Sequence, residues 1–182
     1  MKNILILSTS LRANSNSAAL ADAFAKGAAS VGHTVETVSL AGKNIGFCRG
    51  CLACGKLHKC VINDDAPEIT EKMRLADVIV FATPIYYYEM SGQMKTMLDR
   101  ANSMYSMEYN FRDIYLLASA ADEDEHAIDR AVTGLGGWIE CFEKARLAGT
   151  LLAAGVNDAG ELKKAPQGDQ LLQKAYQMGA AL

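Results

Sequence analysis

Short apolar runs alternate along this 182-residue chain with stretches whose apolar residues recur at helical spacing. ILIL (4–7) is a continuous apolar run, the pattern of a strand covered on both faces. Residues 16–31 then carry Ala, Leu and Phe with the helical period, and Gly32 stands where such a helix stops. HTVETVSL (33–40) alternates through Val35 and Val38 and predicts a second strand. PEITEKMRLA (67–76) opens on Pro at a favoured first helical position. DVIVFATP (77–84) is the most apolar β-branched run and predicts a central strand. A helix follows over SGQMKTMLDRAN (91–102), then a strand over RDIYLLASA (112–120). The next helix begins on the acidic DEDE, which suits the positive end of a helix dipole. ARLAGTLLAAGV (145–156) is a fifth strand, and QGDQLLQKAYQMGAAL a closing helix.

Five strands alternating with helices imply an α/β fold, a parallel sheet with helices on both faces. Right-handed crossovers leave few topologies, and the order 2-1-3-4-5 is the natural one. In that order ligands bind outside the carboxyl ends of the strands, near the switch between the first and third. Three loops lie there: 8–17, 83–93 and 118–126. No repeat, low-complexity segment or boundary interrupts the pattern. The chain reads as one domain, 1–182, with a Cys- and Gly-rich loop (46–65) after the second strand.

Composition narrows the function classes. The net charge is −3 and no Lys/Arg cluster is present, which excludes a general nucleic-acid surface. The apolar runs are far too short to span a bilayer, and Asn3 to Leu7 reads as core strand instead of a leader. A cytoplasmic protein without a membrane or nucleic-acid partner is therefore expected. Five cysteines in an intracellular chain of this size point to metal or redox chemistry before disulfides.

The first loop, STSLRANSNS (8–17), holds four serines, two asparagines and one arginine directly before a helix. Free N–H groups at a helix start favour an anion. Ser10, Ser15 and Ser17 add hydroxyls, Asn16 an amide and Arg12 a charged fork. The alternative is that Ser15 or Ser17 simply caps the helix. Neither GxGxxG nor GxxxxGK[ST] occurs, so a single terminal phosphate fits better than a dinucleotide or nucleoside triphosphate. In the second loop, TPIYYYEMSGQMKTMLDR, Pro84 fixes the chain before three successive tyrosines. Adjacent rings cannot all face one core, so at least one should line a cleft. Asp99 and Arg100 fit helix packing or an ion pair better than catalysis.

These two segments carry a resemblance. LSTSLRANSNS resembles the GSPRxxGNT phosphate loop of the flavodoxin-like NADPH-dependent FMN reductase family, with Thr9, Leu11 and Ser15 in place of Gly, Pro and Gly. TPIYYYEMSGQMKTMLDR is similar to that family's sPvYwxsxsxqmKxxiDR. The resemblance implies a flavodoxin-like fold and FMN as cofactor. It assigns the phosphate to Ser10, Arg12, Asn16 and Ser17, the isoalloxazine to Pro84, Ile85, Tyr86 and Tyr87, and part of the third loop to Ser119, Ala120 and Ala121. It further implies hydride transfer from NAD(P)H through FMN to a quinone, flavin or similar small acceptor, with no catalytic protein side chain. A homodimer or homotetramer is implied as well.

CRGCLACGKLHKC sets Cys48, Cys51, Cys54 and Cys60 in a C-x2-C-x2-C-x5-C pattern. Four such thiolates can ligate a [4Fe-4S] cluster or a zinc ion. The pattern resembles the compact cluster motif of the iron-sulfur flavoproteins, a branch of the same family. Free thiols beside a flavin, a zinc-stabilised binding module and a disulfide stay open as alternatives. His58 reads as a solvated loop residue, and Cys141, beside Phe142, as buried packing.

Overall fold

A computed structural model describes residues 1–182. Its elements run β1 (Asn3–Ser8), α1 (Asn16–Ser30), β2 (Thr34–Ser39), α2 (Cys54–Leu57), α3 (Ala66–Leu75), β3 (Val78–Tyr86), β4 (Glu89–Met90), α4 (Gly92–Arg100), β5 (Asp113–Ser119), α5 (Asp129–Ile139), β6 (Arg146–Ala153) and α6 (Gly168–Ala180). The long strands are all parallel, in the order β2-β1-β3-β5-β6. Without the two-residue β4, this is the expected 2-1-3-4-5 order of a flavodoxin-like fold.

Burial follows position in the sheet. Residues 78–83 of β3, at the centre, are wholly buried, whereas β2 at the edge is largely exposed. Helices α3, α4 and α5 cover one face through a core that includes Leu5, Phe81, Met94, Leu116 and Leu135. Helices α1 and α6 cover the other through Ile6, Leu20, Phe24, Val80 and Ala175. These two helices meet backbone to backbone. A side chain at Gly27 would strike the Tyr176 carbonyl, and one at Gly179 the carbonyl of Phe24.

Three details differ from the sequence pattern. Residues 83–93 do not form a simple loop: β3 continues to Tyr86 and turns back antiparallel into β4, pairing Ile85 with Met90 and Tyr86 with Glu89. A single helical turn, α2, forms inside the Cys-rich loop. Cys141 is exposed, because α5 ends at Ile139 and only Phe142 turns back into the core.

Candidate functional site

At the carboxyl edge of the sheet, four segments converge on one cleft. Ser10, Arg12, Ser15 and Asn16 line it from the loop after β1, and Pro84, Ile85 and Tyr86 from the end of β3. Ser119 and Ala121 come from the end of β5, and Val156, Asn157 and Ala159 from the loop after β6. Nine of the residues expected from sequence therefore meet here: Ser10, Arg12, Ser15, Asn16, Pro84, Ile85, Tyr86, Ser119 and Ala121.

Three others do not reach the cleft. Ser17 is fully buried behind it, with its hydroxyl 3.0 Å from that of Ser15. Ala120 is buried in the strand end, and Ala121 takes the lining position. The Tyr87 ring is 96% exposed at the tip of the β3–β4 hairpin. The wall from Val156, Asn157 and Ala159 was not anticipated. A signal existed in Asn157-Asp158-Ala159-Gly160, turn chemistry placed at the carboxyl end of a strand.

The first loop does two jobs at once. Ser15 caps α1, accepting the Ala18 N–H at 3.1 Å, and also faces the cleft. The first intrahelical bond runs from the Ala19 N–H to the Ser15 carbonyl, so the N–H groups of Asn16 and Ser17 precede the ladder. Arg12 is exposed and donates through Nη1 to the Asn157 carbonyl at 2.7 Å. Asn16 is engaged on both sides: its Nδ2 donates to the Asp158 carbonyl, and its Oδ1 accepts from the Leu162 N–H. Asn16 thus ties the first loop to the loop after β6. On the opposite side, the hydroxyls of Thr9, Ser91 and Thr83 form a buried cluster, with Thr9–Ser91 at 2.9 Å and Thr83–Ser91 at 3.2 Å.

Leu11 faces the other way, into a neighbouring cleft of about 610 Å³ shared with Leu40, Ile45, Phe47 and the start of α4. The Cys-rich loop leaves from the rim of that cleft and is pinned at its base. Arg100 is buried and makes a bidentate pair with Asp64, at 2.5 and 2.8 Å, while donating to the Gly46 carbonyl at 2.7 Å. The Gly46 N–H returns to Asp64 at 2.9 Å. Burial pushes the Asp64 carboxyl up, but the guanidinium and the N–H groups of Gly46 and Ala66 hold it below its ordinary value. Arg100 Nε has no acceptor. Beyond this base, Cys48 and Cys51 are exposed, Cys54 and Cys60 half-buried, and all four thiols free. The Asn102 amide donates to the Cys54 sulfur at 3.2 Å. No three His, Cys, Asp or Glu side chains gather so as to hold a metal ion. Four thiols suit a cluster chemically, but their present arrangement does not assemble it.

The family model for NADPH-dependent FMN reductases matches residues 2–140, which include the first three cleft segments. The chain belongs to that family. Among curated members, an iron-sulfur flavoprotein of Archaeoglobus fulgidus is 36% identical over 100 residues, covering 55% of this chain and 45% of the relative. An iron-sulfur flavoprotein of Methanosarcina thermophila is 40% identical over 70 residues, 38% of this chain and 37% of the relative. The chain thus matches about half, or less, of the length of such curated relatives. Among solved structures, an NAD(P)H:quinone oxidoreductase from Methanothermobacter marburgensis superimposes with a TM-score of 0.76 at 17% identity, over 98% of this chain and 94% of that one. An azoreductase from Bacillus anthracis gives 0.70 at 16%, over 100% and 98%. At these identities the likeness extends the family's fold across the whole chain. No helix is long and apolar enough to cross a membrane.

Proposed function

We propose that the chain is an FMN-dependent oxidoreductase that takes reducing equivalents from NAD(P)H and delivers them to a quinone, a free flavin or a similar small acceptor. One observation carries the reading: Ser10, Arg12 and Ser15 share a cleft with Pro84, Ile85, Tyr86 and Ser119. That set combines a charged fork and two hydroxyls for a phosphate with a less polar wall for a heterocycle. Arg12 would neutralise the phosphate, with Ser10 and Ser15 donating to its oxygens. Asn16 would hold the loop closed, since its amide is already engaged with the loop after β6. Pro84, Ile85 and Tyr86 would bound the ring, with Ser119 and Ala121 opposite. When bound, FMN supplies the redox chemistry, and the protein supplies binding, orientation and electrostatics. No protein nucleophile is required. A homodimer or homotetramer in the cytoplasm belongs to the same proposal.

A second reading makes the chain an electron carrier with a [4Fe-4S] cluster on Cys48, Cys51, Cys54 and Cys60. The observation favouring it is the C-x2-C-x2-C-x5-C spacing, in a chain whose curated relatives are named iron-sulfur flavoproteins. One anaerobic purification separates the two. The oxidoreductase reading expects NAD(P)H to bleach the visible flavin absorption and sustain turnover with a quinone, in protein free of iron. About four irons per chain, lost on Cys60→Ser and accompanied by negligible NAD(P)H oxidation, would establish the carrier instead.

A further inference from the structure

The four segments around the cleft are joined into a closed ring of hydrogen bonds. The loop after β1 is tied to the loop after β6 by Arg12 to the Asn157 carbonyl and Asn16 to the Asp158 carbonyl. The loop after β6 is tied to the end of β5 by the Gly155 N–H to the Asp122 carbonyl and the Val156 N–H to the Ala120 carbonyl, each at 2.8 Å. The β3–β4 hairpin is tied back to the first loop by the Thr9, Ser91 and Thr83 hydroxyls. One join remains, between the hairpin and the end of β5 beyond the sheet. A single side-chain contact makes it: the Tyr88 hydroxyl donates to Asp122 Oδ2 at 2.8 Å.

The hairpin itself needs that contact. Tyr87 and Tyr88 are its two loop residues, and both adopt positive φ, 51° and 66°. This is the backbone of a type I′ turn, which favours Asn-Gly and which bulky side chains enter at a cost. Two successive tyrosines there are a local conflict, held in place by contacts made beyond the turn. Tyr88 has such contacts: Asp122 at its hydroxyl and the Arg130 guanidinium 5.8 Å above its ring. Asp122 is fixed in turn, its other carboxylate oxygen accepting the Asp124 N–H at 3.0 Å. Tyr87 makes no comparable contact and stands in solvent.

We infer that Tyr88 and Asp122 are positioning residues, a latch that closes the ring and holds the Pro84–Tyr86 wall against the Ser119–Ala121 wall around the isoalloxazine. The inference rests on the FMN reading of the cleft. Neither side chain lines the cleft; both act through the segments that do. The latch joins the two walls assigned to the ring and touches none of Ser10, Arg12 and Ser15, so it governs the ring of the ligand and not its phosphate.

The test is a double-mutant cycle on flavin binding. Apoprotein of the wild type, Tyr88→Phe, Asp122→Asn and the double variant is titrated with FMN and with riboflavin. Each single variant should weaken both flavins by the same factor, about three- to tenfold, the scale of one ordinary hydrogen bond, since this one is exposed to solvent. The double variant should bind no more weakly than the poorer single one. Apo Tyr88→Phe should stay folded, with at most a small fall in its unfolding midpoint, because the aromatic ring and its place over Arg130 are retained. Unchanged affinity in the single variants, or losses that multiply in the double variant, would overturn the latch alone. A wild-type apoprotein that binds neither flavin would overturn the cleft reading and the latch with it.

Discussion

The two loops that follow β1 and β2 leave neighbouring strands at the same edge of the sheet, yet they are built on opposite plans. The loop after β1 is organised throughout. Ser15 caps a helix, Asn16 crosses to the loop after β6, and Ser10 accepts the Arg12 N–H within the loop. Its cleft-facing groups are already held by bonds within the protein. The loop after β2 is organised chiefly at its base, by Arg100, Asp64 and Gly46, with one helical turn and the Asn102–Cys54 contact above, and its four thiols are unbridged and ungathered. The contrast teaches where binding energy goes. A preorganised site spends little on ordering when it binds, whereas a site whose ligands must gather draws that cost from the ligand itself. FMN would find the first kind of site. A cluster would have to build the second.

The base of the cysteine loop is where that contrast breaks most easily. Removing one partner of a buried ion pair leaves an uncompensated charge, so Asp64→Ala should cost about 3–5 kcal/mol in denaturant unfolding. The pH dependence has a definite sign. The Asp64 carboxyl is held below its ordinary value in the folded state, so its contribution is complete above the ordinary carboxylate range and fades as pH falls through the folded value. Asp64→Asn should lack that acid-side loss. A cost under 1 kcal/mol for Asp64→Ala would mean that the loop is not held at its base.

The smallest expected effect sharpens the comparison from the cleft side. Tyr87 is exposed and in the left-handed region, so Tyr87→Asn should leave stability unchanged or raise it by less than about 1 kcal/mol. Under the oxidoreductase reading acceptor kinetics should nonetheless change, since the ring is carried on the turn directly after the Tyr86 wall. A clear loss of stability instead would show that the ring is packed in the native protein, as between subunits.

Much of this was legible in the sequence because it depends on local pattern. ILIL and VIVFAT announce strands covered on both faces, and alternation of strands with helices fixes the parallel order. That Ser10, Arg12, Asn16 and Pro84 to Tyr86 share one cleft was legible because they stand at strand ends that the parallel order brings to one edge. What was not legible depends on partners distant in sequence. Ser17 looks like a donor but turns behind Ser15, a matter of helix phase. The Asn157 wall is placed by partners distant in sequence, Arg12 and Asn16 from the first loop and Ala120 and Asp122 from the end of β5. Cys141 beside Phe142 looked buried, yet the helix ends just before them and only the phenylalanine returns to the core. Tyr87-Tyr88 hid a hairpin because tyrosines do not announce a type I′ turn.

The central claim is that the cleft holds FMN with its phosphate at Ser10, Arg12 and Ser15. It is tested most directly by titrating wild-type and Arg12→Ala apoprotein with FMN and with riboflavin, which lacks the phosphate. Loss of a charge-assisted pair should weaken FMN by roughly ten- to a hundredfold, on the order of 1.5–3 kcal/mol, and leave riboflavin nearly unchanged. Equal losses for both ligands, or no loss for either, would contradict it.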